Sequence, residues 1–173
     1  MLIYLNKDFK GVRKLLIFDR DGTLNYDAGY TYKLKDLRTA PNLNAISTVI
    51  CKSDFGFAIA SNQSGIGRAL FSFEESLQFT THLARLICPD LSHWLGYVCC
   101  PHTPEEDCVC RKPSGLMLET ILTHSLLPKA DSVFFGNSEV DAGAAWQAEL
   151  EFRQSDLNSI ARNVESWFSD VSD

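Results

Sequence analysis

The chain has 173 residues, of which 45% are hydrophobic and 22% are charged, and its formal net charge is −6. We expect one domain that spans residues 1–173 and encloses a real core. The negative charge argues against nucleic acids and anionic membranes as main partners. No apolar run is long enough to cross a bilayer, and Lys7, Asp8 and Lys10 interrupt the first apolar stretch where a signal peptide requires continuity. We therefore expect a cytoplasmic protein.

Short apolar runs alternate with helical patterns along the chain. Strands are predicted at 15–18, 56–61, 95–99, 132–135 and 150–153, while residues 1–13 form either an edge strand or a loose arm. Helices are predicted after Pro41, after the capping box of Ser72 and Glu75 with Phe79, Leu83 and Leu86 at helical spacing, at 116–126, at 142–148 and after Asp156. Apolar strands in this alternation are typical of an α/β fold with a mainly parallel sheet covered on both faces. Ligands bind such folds at the carboxyl ends of the strands.

The first strong strand ends in two aspartates one residue apart, Asp19 and Asp21, followed by Gly22. On an extended backbone, residues two apart point the same way, so both carboxylates project together. Carboxylates this close repel each other unless a cation neutralises them, and Mg²⁺ prefers such an oxygen-only site. The four residues from Asp19 to Gly22 alone remain compatible with two solvated aspartates at a strand end.

Cys100, His102, Cys108 and Cys110 lie within eleven residues. Three thiolates and one imidazole complete a tetrahedral zinc site and leave no position open, which indicates a structural rather than a catalytic ion. A disulfide between Cys108 and Cys110 would be strained and would leave His102 unexplained. We predict a zinc loop at residues 100–110.

The run Phe18-Asp19-Arg20-Asp21-Gly22-Thr23 resembles the first motif of the haloacid dehalogenase superfamily of phosphatases, and three further motifs follow in the expected order. The resemblance implies that Asp19 is the nucleophile, that Asp21 is the general acid and base, and that Mg²⁺ binds beside them. It implies further that Ser61 hydrogen-bonds a phosphoryl oxygen and that Lys112 offsets the charge of phosphate and aspartate.

The fourth motif departs from the family pattern, because Asn137 stands where the family generally has an aspartate that helps to hold Mg²⁺. Its amide oxygen can coordinate but brings no charge, and we expect a loss of at least roughly 10–100-fold in metal affinity. Glu139 or Asp141 can compensate as further metal ligands. The sequence leaves open a working enzyme and an impaired relative.

The zinc loop narrows the resemblance to the capless branch that contains the heptose bisphosphate phosphatases and the histidinol-phosphate phosphatases. Ser64 favours the heptose type, since the histidinol-phosphate type tends to have an aspartate there. Ser138 argues against it, because the heptose type often has a lysine there. The residues that the resemblance assigns to substrate binding are Asp27, Gly29, Tyr30, Asn62, Gln63, Ser64, Arg68, Arg111 and Ser138.

Our leading hypothesis is a monomeric Mg²⁺-dependent phosphatase that acts on a small sugar phosphate of the heptose bisphosphate type through an aspartyl-phosphate. Histidinol-phosphate hydrolysis is the second enzyme hypothesis. A catalytically impaired module that binds a phosphorylated metabolite or protein is the third, and Asn137 motivates it. A nucleic-acid end phosphatase is least favoured because of the acidic balance of the chain.

Overall fold

Six strands and six α-helices follow one another in the computed structural model, which describes residues 1–171. The strands are β1 (Leu2–Leu5), β2 (Lys14–Phe18), β3 (Phe55–Asn62), β4 (Trp94–Cys100), β5 (Ser132–Gly136) and β6 (Glu151–Gln154). The helices are α1 (Leu43–Lys52), α2 (Ser64–Gly67), α3 (Phe73–Ile87), α4 (Leu116–Ser125), α5 (Glu139–Ala148) and α6 (Ile160–Val171). Short 3₁₀ turns lie at Leu34–Asp36, Pro104–Glu106 and Lys129–Asp131. Among these helices, none combines the length and apolar character that a membrane span requires.

The strands form one sheet in the order β1-β4-β3-β2-β5-β6. All neighbouring pairs are parallel except β1 and β4, in which Leu2 lies opposite Cys99. The predicted mainly parallel α/β sheet is confirmed, and residues 2–5 supply the edge strand that was one of two alternatives for this segment. The central strands β2, β3 and β5 lie side by side, so their carboxyl ends meet at one edge of the sheet.

Each face of the sheet is covered by helices, and β2 shows how one strand serves both cores. Leu16 and Phe18 pack with the buried side chains of α1, α3 and α6. Leu15 and Ile17 pack with those of α4 and α5 on the opposite face. This alternation follows from the period of two residues in a strand. It explains why the strand is apolar at every position between its ends.

Two details of the helices differ from the prediction: the side chain that α3 buries near its end, and the residue at which α5 begins. The capping box of Ser72 and Glu75 is present, but Leu86 is 45% exposed and Ile87 is buried instead. Steps of four residues from Phe79 through Leu83 reach Ile87, and this row faces the sheet. Helix α5 begins at Glu139, earlier than predicted, because Ser138 caps it.

Candidate active site

Asp19 and Lys112 meet at the carboxyl edge of the central strands. The Nζ atom of Lys112 lies 2.6 Å from Oδ1 of Asp19 and 2.6 Å from Oδ1 of Asp141. It also donates to the carbonyl oxygen of Ala60 at 3.1 Å. Asp19, Lys112 and Asp141 are all buried. One ammonium group thus joins the end of β2, the end of β3 and the first turn of α5.

Burial and neighbouring charges determine the protonation states of Asp19 and Lys112. The pKa of Asp19 is raised to about 6, mainly by burial and also by the charges of Asp141 and Asp21, while the positive charge of Lys112 acts in the opposite direction. Burial acts against the charge of Lys112, but Asp19 and Asp141 outweigh it and raise the pKa of the ammonium. Lys112 therefore stays protonated, and Asp19 is mainly ionised at neutral pH.

Asp21 is held by donors from three side chains. Arg20 donates to it from Nε at 3.1 Å and from Nη2 at 2.9 Å. Asn25 Nδ2 donates at 3.0 Å and Gln63 Nε2 at 2.7 Å. The Asp21 side chain still keeps 20% of its surface exposed. Its oxygens are therefore fixed in direction at the wall of the cleft.

The site itself is a cleft of about 160 Å³, and each of the four predicted motifs contributes at least one residue to its border. Asn137 lies against the turn at Gly22, which has φ +82°, and a Cβ atom on Gly22 would collide with the Asn137 amide. The backbone angle favours glycine at this turn, and a larger residue would also have to displace the Asn137 amide. The residues that border the cleft are Asp19, Asp21, Ser61, Asn62, Lys112, Asn137, Ser138, Val140 and Asp141.

Two residues of the cleft have partners other than those predicted. Asp141, predicted as a metal ligand, gives one oxygen to Lys112 and the other to the backbone and hydroxyl of Ser138. Both of its oxygens therefore support the lysine and the start of α5. Asn62, predicted as a substrate contact, accepts from the backbone N–H of Lys112 at 3.0 Å and donates to its carbonyl at 3.2 Å. This reciprocal pair ties the lysine segment to β3.

The loop after the first motif borders a second cleft of about 180 Å³, lined by Asp21, Asn62, Asp27, Gly29, Tyr30, Gln63 and Ser64. Asp27 shapes this loop, since its Oδ1 accepts from the backbone N–H groups of Gly29 and Thr31. Tyr30 is 43% exposed. Gln63 is only 4% exposed, and its amide contacts protein groups, which does not support the predicted contact with substrate.

The zinc-loop side of the site borders a third cleft, of about 420 Å³. Arg111 and Lys112 are the cations among its lining residues, and Arg111 also donates to the carbonyl oxygen of His102 at 3.1 Å. Arg68 forms an exposed pair with Glu105 at 3.2 Å, so it contacts the zinc loop rather than the cleft. Asn62 borders all three clefts, which are therefore contiguous.

The predicted zinc ligands lie together, with one ligand atom from each residue within 4.8 Å of all the others. The Sγ atoms of Cys100 and Cys108 are 3.3 Å apart, and those of Cys108 and Cys110 are 3.7 Å apart. His102 Nδ1 is 3.5 Å from Cys100 and from Cys110. Thiolates 2.3 Å from a tetrahedral zinc ion are about 3.8 Å apart. The donor set and its spacing therefore fit a zinc ion.

Asp19, Asp21 and Asn137 border one cleft, and their side chains carry the hard oxygen donors that Mg²⁺ prefers. After pairing with Lys112 and Arg20, the three carboxylates Asp19, Asp21 and Asp141 keep one uncompensated negative charge. A bound cation would neutralise it.

Sequence reasoning missed Arg20 and Asn25, which are 1% and 0% exposed and both contact Asp21. A charged residue between two acids, directly after a buried strand, was the available signal. A charge that is buried at this position needs an opposite charge beside it, and the two neighbouring acids are the nearest ones.

A curated relative from Pseudomonas putida, D-glycero-beta-D-manno-heptose-1,7-bisphosphate 7-phosphatase, is 35% identical over 133 residues, which cover 76% of each chain. The chain belongs to the heptose bisphosphate phosphatase family. A relative in Thermoplasma acidophilum, a probable D-glycero-D-manno-heptose-1,7-bisphosphate 7-phosphatase, is 34% identical over 142 residues, which cover 81% of this chain and 88% of that one. A scan against protein-family models found no match.

The solved structures agree with this family. The D,D-heptose 1,7-bisphosphate phosphatase from B. bronchiseptica, complexed with magnesium and phosphate, superposes with a TM-score of 0.73 at 26% identity and covers 89% of this chain and 99% of its own. Haloacid dehalogenase hydrolases with lower identity, such as one from Geobacter sulfurreducens at 16% and a TM-score of 0.53, share the fold. The family is thus one of phosphatases with the haloacid dehalogenase fold.

Proposed function

We propose that this chain is a Mg²⁺-dependent phosphatase that removes one phosphate from D-glycero-D-manno-heptose 1,7-bisphosphate. The observation that carries the proposal is the convergence of Asp19, Asp21, Ser61 and Lys112 on one cleft, in a chain whose relatives carry that activity in their names. The proposed site residues are brought together because the ends of β2 and β3 lie side by side and the segment after the zinc loop returns to them.

In this mechanism an oxygen of Asp19 attacks phosphorus, and the bond between phosphorus and the sugar oxygen breaks. Asp21 carries a proton when the phosphate ester is bound, donates it to the leaving oxygen and then takes one from the water that hydrolyses the aspartyl-phosphate. The Ser61 hydroxyl donates to a phosphoryl oxygen, and Lys112 keeps a positive charge beside Asp19 throughout. The second step releases inorganic phosphate and restores Asp19.

Asp19 and Asn137, with Asp21 beside them, would hold Mg²⁺ in this cleft, and a resident Mg²⁺ supplies positive charge that stabilises the transferring phosphoryl group. Zinc in the loop of Cys100, His102, Cys108 and Cys110 would serve the fold. Arg111 follows this loop directly and contacts the carbonyl oxygen of His102, so we assign to the loop the task of presenting Arg111 to the substrate.

The substrate assignment uses the size and charge of the contiguous clefts. The central cleft of about 160 Å³ takes the reacting phosphate, and the larger cleft on the zinc-loop side offers Arg111 for the second phosphate. An Arg guanidinium suits a phosphate because its planar fork can donate two hydrogen bonds at once.

Incubation with the heptose bisphosphate and millimolar Mg²⁺ should release one phosphate, and Asp19→Asn should abolish the release. Histidinol phosphate serves as the comparison substrate, and the ratio of kcat/KM values decides between the two. Failure to release phosphate from any sugar phosphate at millimolar Mg²⁺ would refute the proposal.

Asn137 motivates the second candidate, a binding module that has lost catalysis. Asn137→Asp restores the charge that the family generally has at this position, and it should lower the Mg²⁺ concentration needed for half-maximal activity by about 10–100-fold. If the natural chain is inactive and Asn137→Asp is active, the binding module is the better description. If both are active with the same Mg²⁺ requirement, the amide suffices as a ligand.

A further inference from the structure

A buried polar chain of contacts lies beneath the cleft and joins Arg20, Gln63, Asp21 and Ser61. The guanidinium of Arg20 is 1% exposed and packs 4.9 Å from the ring centre of Phe79. Its Nη2 donates to Oδ2 of Asp21 at 2.9 Å and to Oε1 of Gln63 at 3.0 Å. A buried guanidinium requires acceptors for its donors, so these contacts are tightly specified.

Arg20 determines which way the amide of Gln63 faces. Because a guanidinium can only donate, the oxygen of the amide must point toward Arg20 and the nitrogen must point away. That nitrogen donates to Oδ2 of Asp21 at 2.7 Å and to Oγ of Ser61 at 2.8 Å. Both hydrogens of the amide are thereby used, one on each of the two proposed active residues.

This orientation has a chemical consequence for Ser61. Its oxygen accepts from Gln63, and within residues 1–171 the structure gives its own hydroxyl proton no acceptor. The proton therefore remains available for an oxygen of a phosphate in the cleft. If the amide were reversed, Ser61 would have to donate its proton to Gln63 instead.

We propose that Gln63 is a positioning residue for phosphoryl transfer: it aims Asp21 at the leaving oxygen and keeps the Ser61 hydroxyl as a donor, with Arg20 setting its direction. This inference rests on the proposed function. It replaces the expectation that Gln63 contacts substrate, because a side chain that is 4% exposed acts through its neighbours.

The test uses Gln63→Met, which keeps the length of the side chain and removes its hydrogen bonds, and Gln63→Glu, which keeps the acceptor for Arg20 and removes both donors. Gln78→Met on the exposed side of α3 is the matched control. Each variant is assayed for kcat/KM on the heptose bisphosphate and on p-nitrophenyl phosphate, with the melting temperature measured alongside. The aryl ester is informative because its leaving group departs without a proton, whereas a sugar oxygen needs one from Asp21.

We expect Gln63→Met to lower kcat/KM on the sugar phosphate by about 100-fold, the lower end of what general acid catalysis contributes. On p-nitrophenyl phosphate the loss should be at least ten times smaller by the same argument. Gln63→Glu should show the same dependence on the leaving group. If the Met variant fails to fold, the Glu variant alone tests whether Gln63 positions Asp21. Gln78→Met should match the natural chain on both esters.

Equal losses on the two esters would show that Gln63 does not aim Asp21 at the leaving oxygen and would overturn the proposal, as would natural kcat/KM values in the variants. If the natural chain hydrolyses neither ester, the proposed function fails and this inference fails with it. Activity of the natural chain therefore separates the two failures.

Discussion

Replacing Lys112 is the change whose effect on stability follows most directly from the structure. Its Nζ atom lies 2.6 Å from two buried carboxylates, Asp19 and Asp141, and only 2% of its side chain is exposed. Lys112→Met keeps the volume of the stem and removes the charge. The two carboxylates, one after β2 and one in the first turn of α5, then face each other without the cation that separates them.

Removing one partner of a buried ion pair costs about 3–5 kcal/mol, because the remaining charge stays buried without compensation. For a chain of this size that loss corresponds to a fall in Tm of roughly 6–20 °C. The matched control is Lys129→Met, which removes an exposed pair with Glu149 at 2.8 Å and should cost less than about 1 kcal/mol.

The loss in Lys112→Met should also depend on pH in a defined direction. The pKa of Asp19 is already raised to about 6 by burial, and Lys112 is what lowers it, so removing the lysine raises that pKa further. The folded state then binds more protons than the unfolded state above the ordinary pKa of a carboxyl group, and stability falls as pH rises. The destabilisation is therefore largest near pH 8 and smaller near pH 5.

Urea unfolding of the natural chain, Lys112→Met and Lys129→Met at pH 5 and pH 8, without added Mg²⁺, measures both quantities. We expect Lys112→Met to be inactive as well. A Lys112→Met protein as stable as Lys129→Met at pH 8 would refute the electrostatic reasoning. So would a destabilisation that is the same at both pH values.

Three further predictions concern the loops around the site. Stripping metal with a chelator should release one zinc ion per chain, measured by atomic emission, and should lower Tm, whereas a metal content of zero in the native protein would exclude the zinc loop. Gly22→Ala should destabilise by about 1–2 kcal/mol in urea unfolding, because φ is +82° and the new Cβ meets the Asn137 amide; an unchanged midpoint contradicts this. Asn62→Ala removes two hydrogen bonds to the Lys112 backbone and should cost about 1–3 kcal/mol with a lower kcat and little change in KM; a change in KM alone would favour a direct substrate contact.

Much of the fold was predictable because two signals identify each central strand: an apolar run and the polar residues that follow it. The alternation of Leu15, Leu16, Ile17 and Phe18 into two cores requires a strand covered on both faces. The position of Asp19 at the end of this strand follows from the same pattern. The convergence with Ser61 then follows from parallel pairing of β2 and β3.

The sequence did not predict which polar side chains turn inward. Asn62 and Gln63 follow a strand and precede a glycine turn, and a pattern of that kind does not distinguish a residue that meets substrate from one that holds its neighbours. The difference depends on where Arg20 and the Lys112 backbone lie, and those are 43 and 50 residues away along the chain. Contacts of that range depend on packing, which local patterns do not encode.

The antiparallel pairing of β1 with β4 places residues 1 and 2 next to the zinc loop, which matters for the design of fusion proteins. Leu2 lies opposite Cys99, one residue before the end of β4 and the first cysteine of the zinc loop. Leu2 therefore lies at the end of the sheet where the clefts open. A fusion partner or affinity tag ahead of Met1 would emerge beside the zinc loop, and we expect it to obstruct bulky ligands more than small aryl phosphates.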